Sequence, residues 1–357
     1  MGLFLNEGGT MPVITAEAAN EMLSTMIEAA GTPRDIATCV AAHLVDASLK
    51  GVDSHGVMRI VMYLDQIAKG RIVPDARPEV VQETASTALV RGHLGFGFHA
   101  MEYAVSLAIA KARATGVAAV GLAETTHTGR LGRYGEIMAE QGMLGIVAGG
   151  GHSGTATSGR WVAPHGGARR ALSTNPYVLA MPGGRFGPVV VDIATSTVGE
   201  GKLQVYRAKH EPLPPGWILD KDGRPSTDVE DFYAGGMLLP AAGHKGYGLS
   251  LIAELLGSAL LGAAHIMNWF ILVTSLTAFR DPESYEATAD SILAGLKAIP
   301  PAEGFNEVMI PGEPEMRTAE SRARTGIPIP EAMWVNMVDA AQRVGVDAQA
   351  YLAGHLE

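Results

Sequence analysis

Residues 143–167 read MLGIVAGGGHSGTATSGRWVAPHGG, and the residues after their first glycines separate two kinds of α/β fold. The apolar run before them has the look of a buried strand. Gly149, Gly151 and Gly154 then match the G-x-G-x-x-G spacing of a dinucleotide fingerprint. That fingerprint works when its glycines open a helix, because the helix N-terminus receives the pyrophosphate. Here Gly159 and Pro164 interrupt any such helix, and no acid closes a following strand about 20 residues on. The reading is a strand and a glycine-rich loop, not a dinucleotide fingerprint.

Outward from this point, strands and helices alternate. Upstream lie the strand-like STALVRG, a helix from about His99 to Thr115, the strand VAAVGLAET, and a helix in RLGRYGEIMAEQG. Downstream, PVVVDIATS is an apolar strand ending in an acid and hydroxyls, and PLPPGWILDKDGRPSTD is a turn cluster. GHKGYGLSLIAELLGSALLGA reads as a glycine-rich loop running into a buried helix, and WFILVTSL as a strand. Residues 15–49 are helical, with Thr15 as N-cap, and the proline-punctuated RIVPDARPEV marks a boundary. The expected class is α/β, a mixed-sheet domain at about 77–246 and a helix-rich domain made of 1–76 plus about 247–357.

Composition narrows the function. Hydrophobic residues make up 47% of the 357 and charged residues 18%, an enzyme-like balance. The net charge is −10 and no basic run exceeds two residues, so neither nucleic acid nor an anionic membrane is an expected partner. One cysteine, Cys39, and an N-terminus without a basic, long-apolar leader suggest the cytoplasm. Residues 255–279 are long and apolar enough to consider as a membrane span. Their β-branched half and the lack of flanking basic residues favour two buried elements instead.

Several motifs could carry chemistry. GVDSHGVMR, residues 51–59, sets an acid, a hydroxyl and an imidazole before a helix, so His55 is either part of a capping turn or a proton-transfer group. Arg59, if helical, falls one turn beyond His55 on the same face, where its planar fork suits a carboxylate. In ETTHTGRLGRYGE, His127 ends a strand, and Gly129 and Gly132 precede a helix whose first N–H groups form a ready anion site. Asp192, Thr195, Ser196 and Thr197 end another strand, and Lys245 sits between glycines at a helix start. A serine nucleophile is disfavoured because there is no G-x-S-x-G, and neighbours Ser54 and His55 are expected to point apart. No metal is expected, since there is no H-E-x-x-H and a single cysteine cannot form a thiolate cluster.

Taken together, GVDSHGVMRI, HTGRLGRYGE, STNP, VVVDIATS, PPGWILDKDGRPSTD, GHKGYGLSLIAELLGSALLG and IPGE resemble, in order and spacing, the malate/L-lactate dehydrogenase family of the sulfolactate dehydrogenase-like type. The resemblance runs from about residue 14 to 329. It implies a non-Rossmann mixed-sheet NAD(P)-binding domain with an accompanying helical domain, and a homodimer with its active site near the subunit interface. The implied reaction is hydride transfer between NAD or NADP and a small 2-hydroxy acid or its 2-oxo acid. A cyclic imino acid reductase on the same site is the alternative, and a metal-dependent hydrolase the alternative from another class. By resemblance, His55 is the proton donor and acceptor, Ser54 and Asp192 relay to it, and Arg59 holds the substrate carboxylate. Cofactor contacts are implied at His127, Thr128, Gly129, Arg130 and Leu131; at Asp192, Ile193, Ala194, Thr195, Ser196 and Thr197; at His244, Lys245 and Gly246; and at Gly312 and Glu313. There is one departure. Some members carry an Arg directly after the PGE glutamate, whereas here Pro314 follows and Arg317 is the nearest base. Either nicotinamide is therefore admitted.

Overall fold

A computed structural model of the chain describes residues 11–151 and 160–352. The chain forms two compact units, one of residues 1–76 and 313–357, the other of residues 77–312. The first begins with β1 (Val13–Ile14), α1 (Ala16–Ala29), α2 (Arg34–Leu49) and α3 (Ile60–Ala68). Thr15 caps α1, its hydroxyl accepting from the Ala18 N–H at 3.2 Å. The helical stretch expected over 15–49 is two helices, because Gly31 takes φ +94° and Pro33 cannot continue a helix. Met22, Leu23 and Met26 of α1 and Ile36, Val40 and Leu44 of α2 are fully buried where the two helices pack.

The second unit holds β2 (Glu79–Glu83), β3 (Thr87–Arg91), α4 (Gly97–Thr115), β4 (Val117–Ala123), α5 (Gly132–Glu140), β5 (Met143–Gly150), β6 (Tyr177–Pro182) and β7 (Pro188–Ile193). There follow α6 (Glu200–Lys209), β8 (Ile218–Leu219), β9 (Pro225–Ser226), α7 (Val229–Tyr233), β10 (Met237–Leu238), α8 (His244–Glu254), β11 (Asn268–Ser275) and α9 (Pro282–Lys297). Seven strands form one sheet in the order β2-β3-β4-β11-β5-β6-β7. Only β3 and β4 pair in parallel, and β5 is antiparallel to both of its neighbours. Val120, Leu122, Val147, Val178, Ile271 and Val273 of the sheet form one core with Met101 and Ala104 of α4 and Tyr134 and Met138 of α5. A smaller three-stranded sheet, β10-β8-β9, gathers a second core around Leu203, Phe232 and Leu238. The chain then returns to the first unit as α10 (Glu313–Thr325), β12 (Ile327–Pro328), antiparallel to β1, and α11 (Glu331–Arg343).

Two expectations change. Residues 247–312 belong with the sheet and not with the helix-rich part, because β11 is the central strand, bonded to β4 on one side and β5 on the other. The helix opened by GHKGYG is also less buried than its apolar run suggests: of α8, only Gly246, Ser250 and Ala253 are buried. The membrane-like stretch resolves into a π-helical turn, Leu255–Leu260, and β11. Among the described residues no helix is long and apolar enough to cross a membrane.

The glycines of the failed fingerprint have a packing role. A Cβ on Gly150 would lie 1.9 Å from the Ala253 carbonyl oxygen, and one on Gly151 3.1 Å from the Gly257 backbone. They are the gap into which α8 and its π-turn settle. Residues 152–159, with the rest of the fingerprint, lie outside the described residues. Since backbone cannot yield as a flexible side-chain tip does, Gly150→Ala should destabilise by about 1–3 kcal/mol or more. Urea unfolding of this variant checks the close approach, and a loss below about 0.5 kcal/mol would contradict it.

Candidate active site

Within the first unit, residues 53–59 are not the start of one helix. Asp53–His55 and Val57–Arg59 are separate 3₁₀ turns, divided at Gly56, whose φ −91° and ψ −159° are extended. Gly56 is required there, since a Cβ would fall 2.0 Å from Ser48 Oγ. That hydroxyl instead accepts from the Val57 N–H at 3.0 Å. The break corrects two expectations. Ser54 and His55 do not point apart: Ser54 Oγ lies 3.0 Å from His55 Nδ1. Arg59 is not placed by a helical repeat but by its Nε, which donates to the Ser54 carbonyl at 2.6 Å, while Nη1 lies 3.5 Å from Met62 Sδ. The structure thus brings Ser54, His55 and Arg59 together, with one edge of the guanidinium already committed to the turn. Beneath Arg59, the buried Tyr63 phenol is pushed up by burial, with the Arg59 charge opposing.

Asp53 carries no helix cap. Its two carboxylate oxygens receive Nη1 and Nη2 of Arg322, on α10, at 2.6 and 3.1 Å. Arg322 Nη1 also donates to the Ser48 carbonyl at the end of α2. Arg322 was not among the sequence candidates, and Asp53 entered only as the acid of the DSH triplet. Their pairing spans 269 positions, so no local pattern signals it.

In the second unit, four segments distant in sequence meet along β7 and the turn after it. Asp192 Oδ2 accepts from the Gly132 N–H at 2.7 Å, joining β7 to the 127–132 turn. Gly312, at φ +93°, has its Cβ position within 3.6 Å of Val190, and Pro311 O accepts from Val190 N at 3.1 Å. Thr195 Oγ1 is 2.7 Å from Ser250 Oγ of α8. A Cβ on Gly246 would meet Thr195 O at 2.6 Å and Ala241 O at 2.4 Å, so the start of α8 lies backbone to backbone on the 195 turn.

The groups that remain for a ligand differ from the sequence reading. The helix start at α5 is a good anion site, and the anion on it is the Asp192 carboxylate. Thr128, Arg130 and Leu131 are buried. Arg130 is paired with Glu136 at 2.7 Å, their side chains 5% and 12% exposed. Of residues 127–131 only His127 is not buried, and Gly129 N–H donates to its Nδ1 at 3.2 Å, leaving the neutral ring's proton on Nε2. The hydroxyls among the implied cofactor contacts donate within the protein: Thr195 to Thr174 O, Ser196 to Val198 O and Thr197 to Leu239 O. Asp192 and Ile193 are exposed, and Ala194 is half-buried.

His244 and Lys245 are exposed at the start of α8, with the His165 ring 6.1 Å from that of His244. Among the described residues Lys245 has no ion-pair partner. Glu313, with a side chain only 12% exposed, is held by Arg317 one turn on. Sequence reading also missed Asn175 and Glu254. Glu254 accepts from Asn175 Nδ2 at 2.8 Å and from Gly151 N–H at 3.0 Å, tying α8 to the end of β5.

The Arg130–Glu136 pair gives a test of burial. Glu136→Gln should cost about 3–5 kcal/mol in urea unfolding, because the buried guanidinium loses a charged partner held at 2.7 Å. The double variant Arg130→Met with Glu136→Leu should recover most of that loss. A single variant losing less than about 1 kcal/mol would mean that Arg130 is solvated, not buried.

The malate/L-lactate dehydrogenase family profile matches residues 14–338. A malate dehydrogenase of Pyrococcus abyssi is 37% identical, the match covering 88% of this chain and 90% of that protein. The sulfolactate dehydrogenase structure from Methanocaldococcus jannaschii superposes with a TM-score of 0.86 at 30% identity, covering 95% of this chain and 99% of that one. A delta1-piperideine-2-carboxylate reductase structure from Pseudomonas syringae gives a TM-score of 0.81 at 26% identity, covering 92% and 99%.

Proposed function

The chain belongs to the malate/L-lactate dehydrogenase family, and on that premise we propose that it is a nicotinamide-dependent dehydrogenase interconverting a small 2-hydroxy acid and its 2-oxo acid. The observation that carries the reading is the turn that sets Ser54 Oγ on His55 Nδ1 with Arg59 bonded to the same turn. Bound NAD or NADP supplies or accepts the hydride. In the reducing direction His55 gives its proton to the substrate carbonyl oxygen, and in the oxidising direction the neutral ring takes the hydroxyl proton. Because Ser54 occupies Nδ1, the exchanged proton is the one on Nε2. Arg59 receives the substrate carboxylate on its terminal nitrogens, since its Nε edge is committed to Ser54 O. By the family resemblance Asp192 is assigned the relay role in proton transfer.

The residues along β7 fit a dinucleotide's demands in part. His244 and Lys245 offer exposed positive or polar groups for a phosphate, on a backbone locked by Gly246. Residues 127–131, 192–197, Gly312 and Glu313 complete the cofactor rim mainly through backbone and shape, because their polar side chains are engaged within the protein. The active form is a homodimer in the cytoplasm. Supporting a second copy are Leu249, Leu251 and Ile252 on α8, Leu255 just beyond it, and Ile292 and Leu296 on α9. These large apolar side chains are 42–58% exposed in the single chain.

Purified protein should oxidise NADH or NADPH in the presence of at least one small 2-oxo acid, and EDTA should not stop the reaction. A cyclic imino acid in the same panel tests the reductase alternative. His55→Ala should lower turnover at least ~10²-fold, the scale of a positioned proton donor. Folded His55→Ala retaining a third of the parent turnover removes His55 from the acid/base role, and failure of both nicotinamides to bind in calorimetry removes the dehydrogenase reading.

Sedimentation at micromolar concentration should give about twice the chain mass, and Ile252→Asp should shift it toward the monomer. A fully active parent monomer contradicts the dimer.

A further inference from the structure

We propose that Arg322 is a positioning residue for the reaction, acting through His55 by holding the turn that carries it; the inference rests on the reading of His55 as the acid/base. Besides its own backbone hydrogen bonds, three features that shape this turn come from residues close in sequence. Ser48 Oγ receives the Val57 N–H, Gly56 leaves room for that hydroxyl, and Arg59 Nε donates to Ser54 O at 2.6 Å. These fix the turn relative to the end of α2 and to α3. None of them holds Asp53, the residue that opens the turn. Its carboxylate is gripped at both oxygens by the Arg322 guanidinium, at 2.6 and 3.1 Å.

The same guanidinium caps the carbonyl of Ser48, so one side chain joins the end of α2, the acid/base turn and α10. The approach of α10 is close along its length: at Gly51, φ +77°, a Cβ would lie 3.1 Å from the Thr318 methyl. Thr318 and Arg322 are one helical turn apart and so share the face of α10 that meets the turn.

A planar fork that binds both carboxylate oxygens fixes orientation as well as distance, which a point charge does not. The Arg322 side chain is 18% exposed and that of Asp53 37%. Water competes only partly for the pair. With Arg322 replaced by a neutral residue, the Asp53 end of the turn loses this long-range contact. Ser54 and His55 are then able to rotate away from the geometry in which the Nε2 proton reaches the substrate. Displacements on the order of 1 Å in a reacting group cost up to ~10²-fold in rate.

The test is a double-mutant cycle of Arg322→Gln with His55→Ala, reading kcat for 2-oxo acid reduction normalised to folded protein by thermal melting. The parent chain and both single variants are measured alongside the double. Arg322→Gln should lower kcat about 10- to 100-fold with the nicotinamide KM within about twofold of the parent, and should lower it by less than about twofold in the His55→Ala background. An equal fractional loss in both backgrounds would mean a general structural role, and overturns the proposal. So does a single-variant loss below about threefold. If His55→Ala itself costs less than about threefold, the acid/base reading fails and this proposal with it, a result distinct from either of the others. Should Arg322→Gln not fold, Arg322→Lys keeps the charge without the fork. It should give a smaller kcat loss that again disappears in the His55→Ala background, and a loss that persists there overturns the proposal.

Discussion

The close approach of α8 to the glycine end of β5 is the constraint on which the second unit is organised. Backbone meets backbone there, at Gly150 against the Ala253 carbonyl and at Gly151 against Gly257. Such contact is available only where both chains lack side chains between them. Glu254 then accepts from the Gly151 N–H and the Asn175 amide nitrogen from the helix side. With α8 seated, Ser250 reaches Thr195, and Gly246 lies on the Thr195 carbonyl. The start of α8, with His244 and Lys245, is thereby set beside the end of β7. A packing requirement in the centre of the sheet fixes the geometry of the rim where the candidate cofactor residues lie.

This explains how one glycine cluster could be read correctly as not Rossmann and still hide its purpose. A phosphate-binding loop needs a helix directly after its glycines, and in the sequence Gly159 and Pro164 argue against one. The antiparallel pairing of β5 on both sides agrees. Hydrophobic periodicity located β3, β4, β5, β7 and β11, which bury residues in the core with α4 and α5, but not β6 or the largely exposed β2. The place of β11 between β4 and β5 was not legible. Its partners lie more than a hundred residues upstream, and the short-range pattern carries no information on which strands pair.

The candidate site was legible as a set of residues and much less so as a set of roles. DSH stood out because three proton-handling groups are adjacent, but its shape depends on Gly56 and on the Ser48 hydroxyl beneath it. A continuous helix was the simpler extrapolation from VMRIVMYLDQIA, and it gave Arg59 the right neighbours for the wrong reason. The HTGRLG turn was read as an open anion site because a helix start exposes N–H groups. The same physics invites a carboxylate from the protein itself, and Asp192 answers it from another strand. Hydroxyls at 195–197 were similarly counted as available, whereas buried hydroxyls find carbonyl acceptors nearby.

Within each unit, several residues of the quoted motifs are held by one another or by residues outside the motifs. Arg130, Thr195 and Asp192 stand in the quoted motifs, and each has a described partner that shapes the backbone of the rim. That arrangement suits a site that must present backbone groups at fixed positions, because rigid support matters more than the number of polar side chains on display. The same logic applies in the first unit, where Gly56, Ser48 and the Asp53–Arg322 pair define a turn that presents Ser54, His55 and the far end of Arg59. On the proposed reading few atoms there carry the chemistry, and most of the motif consists of what keeps them in place.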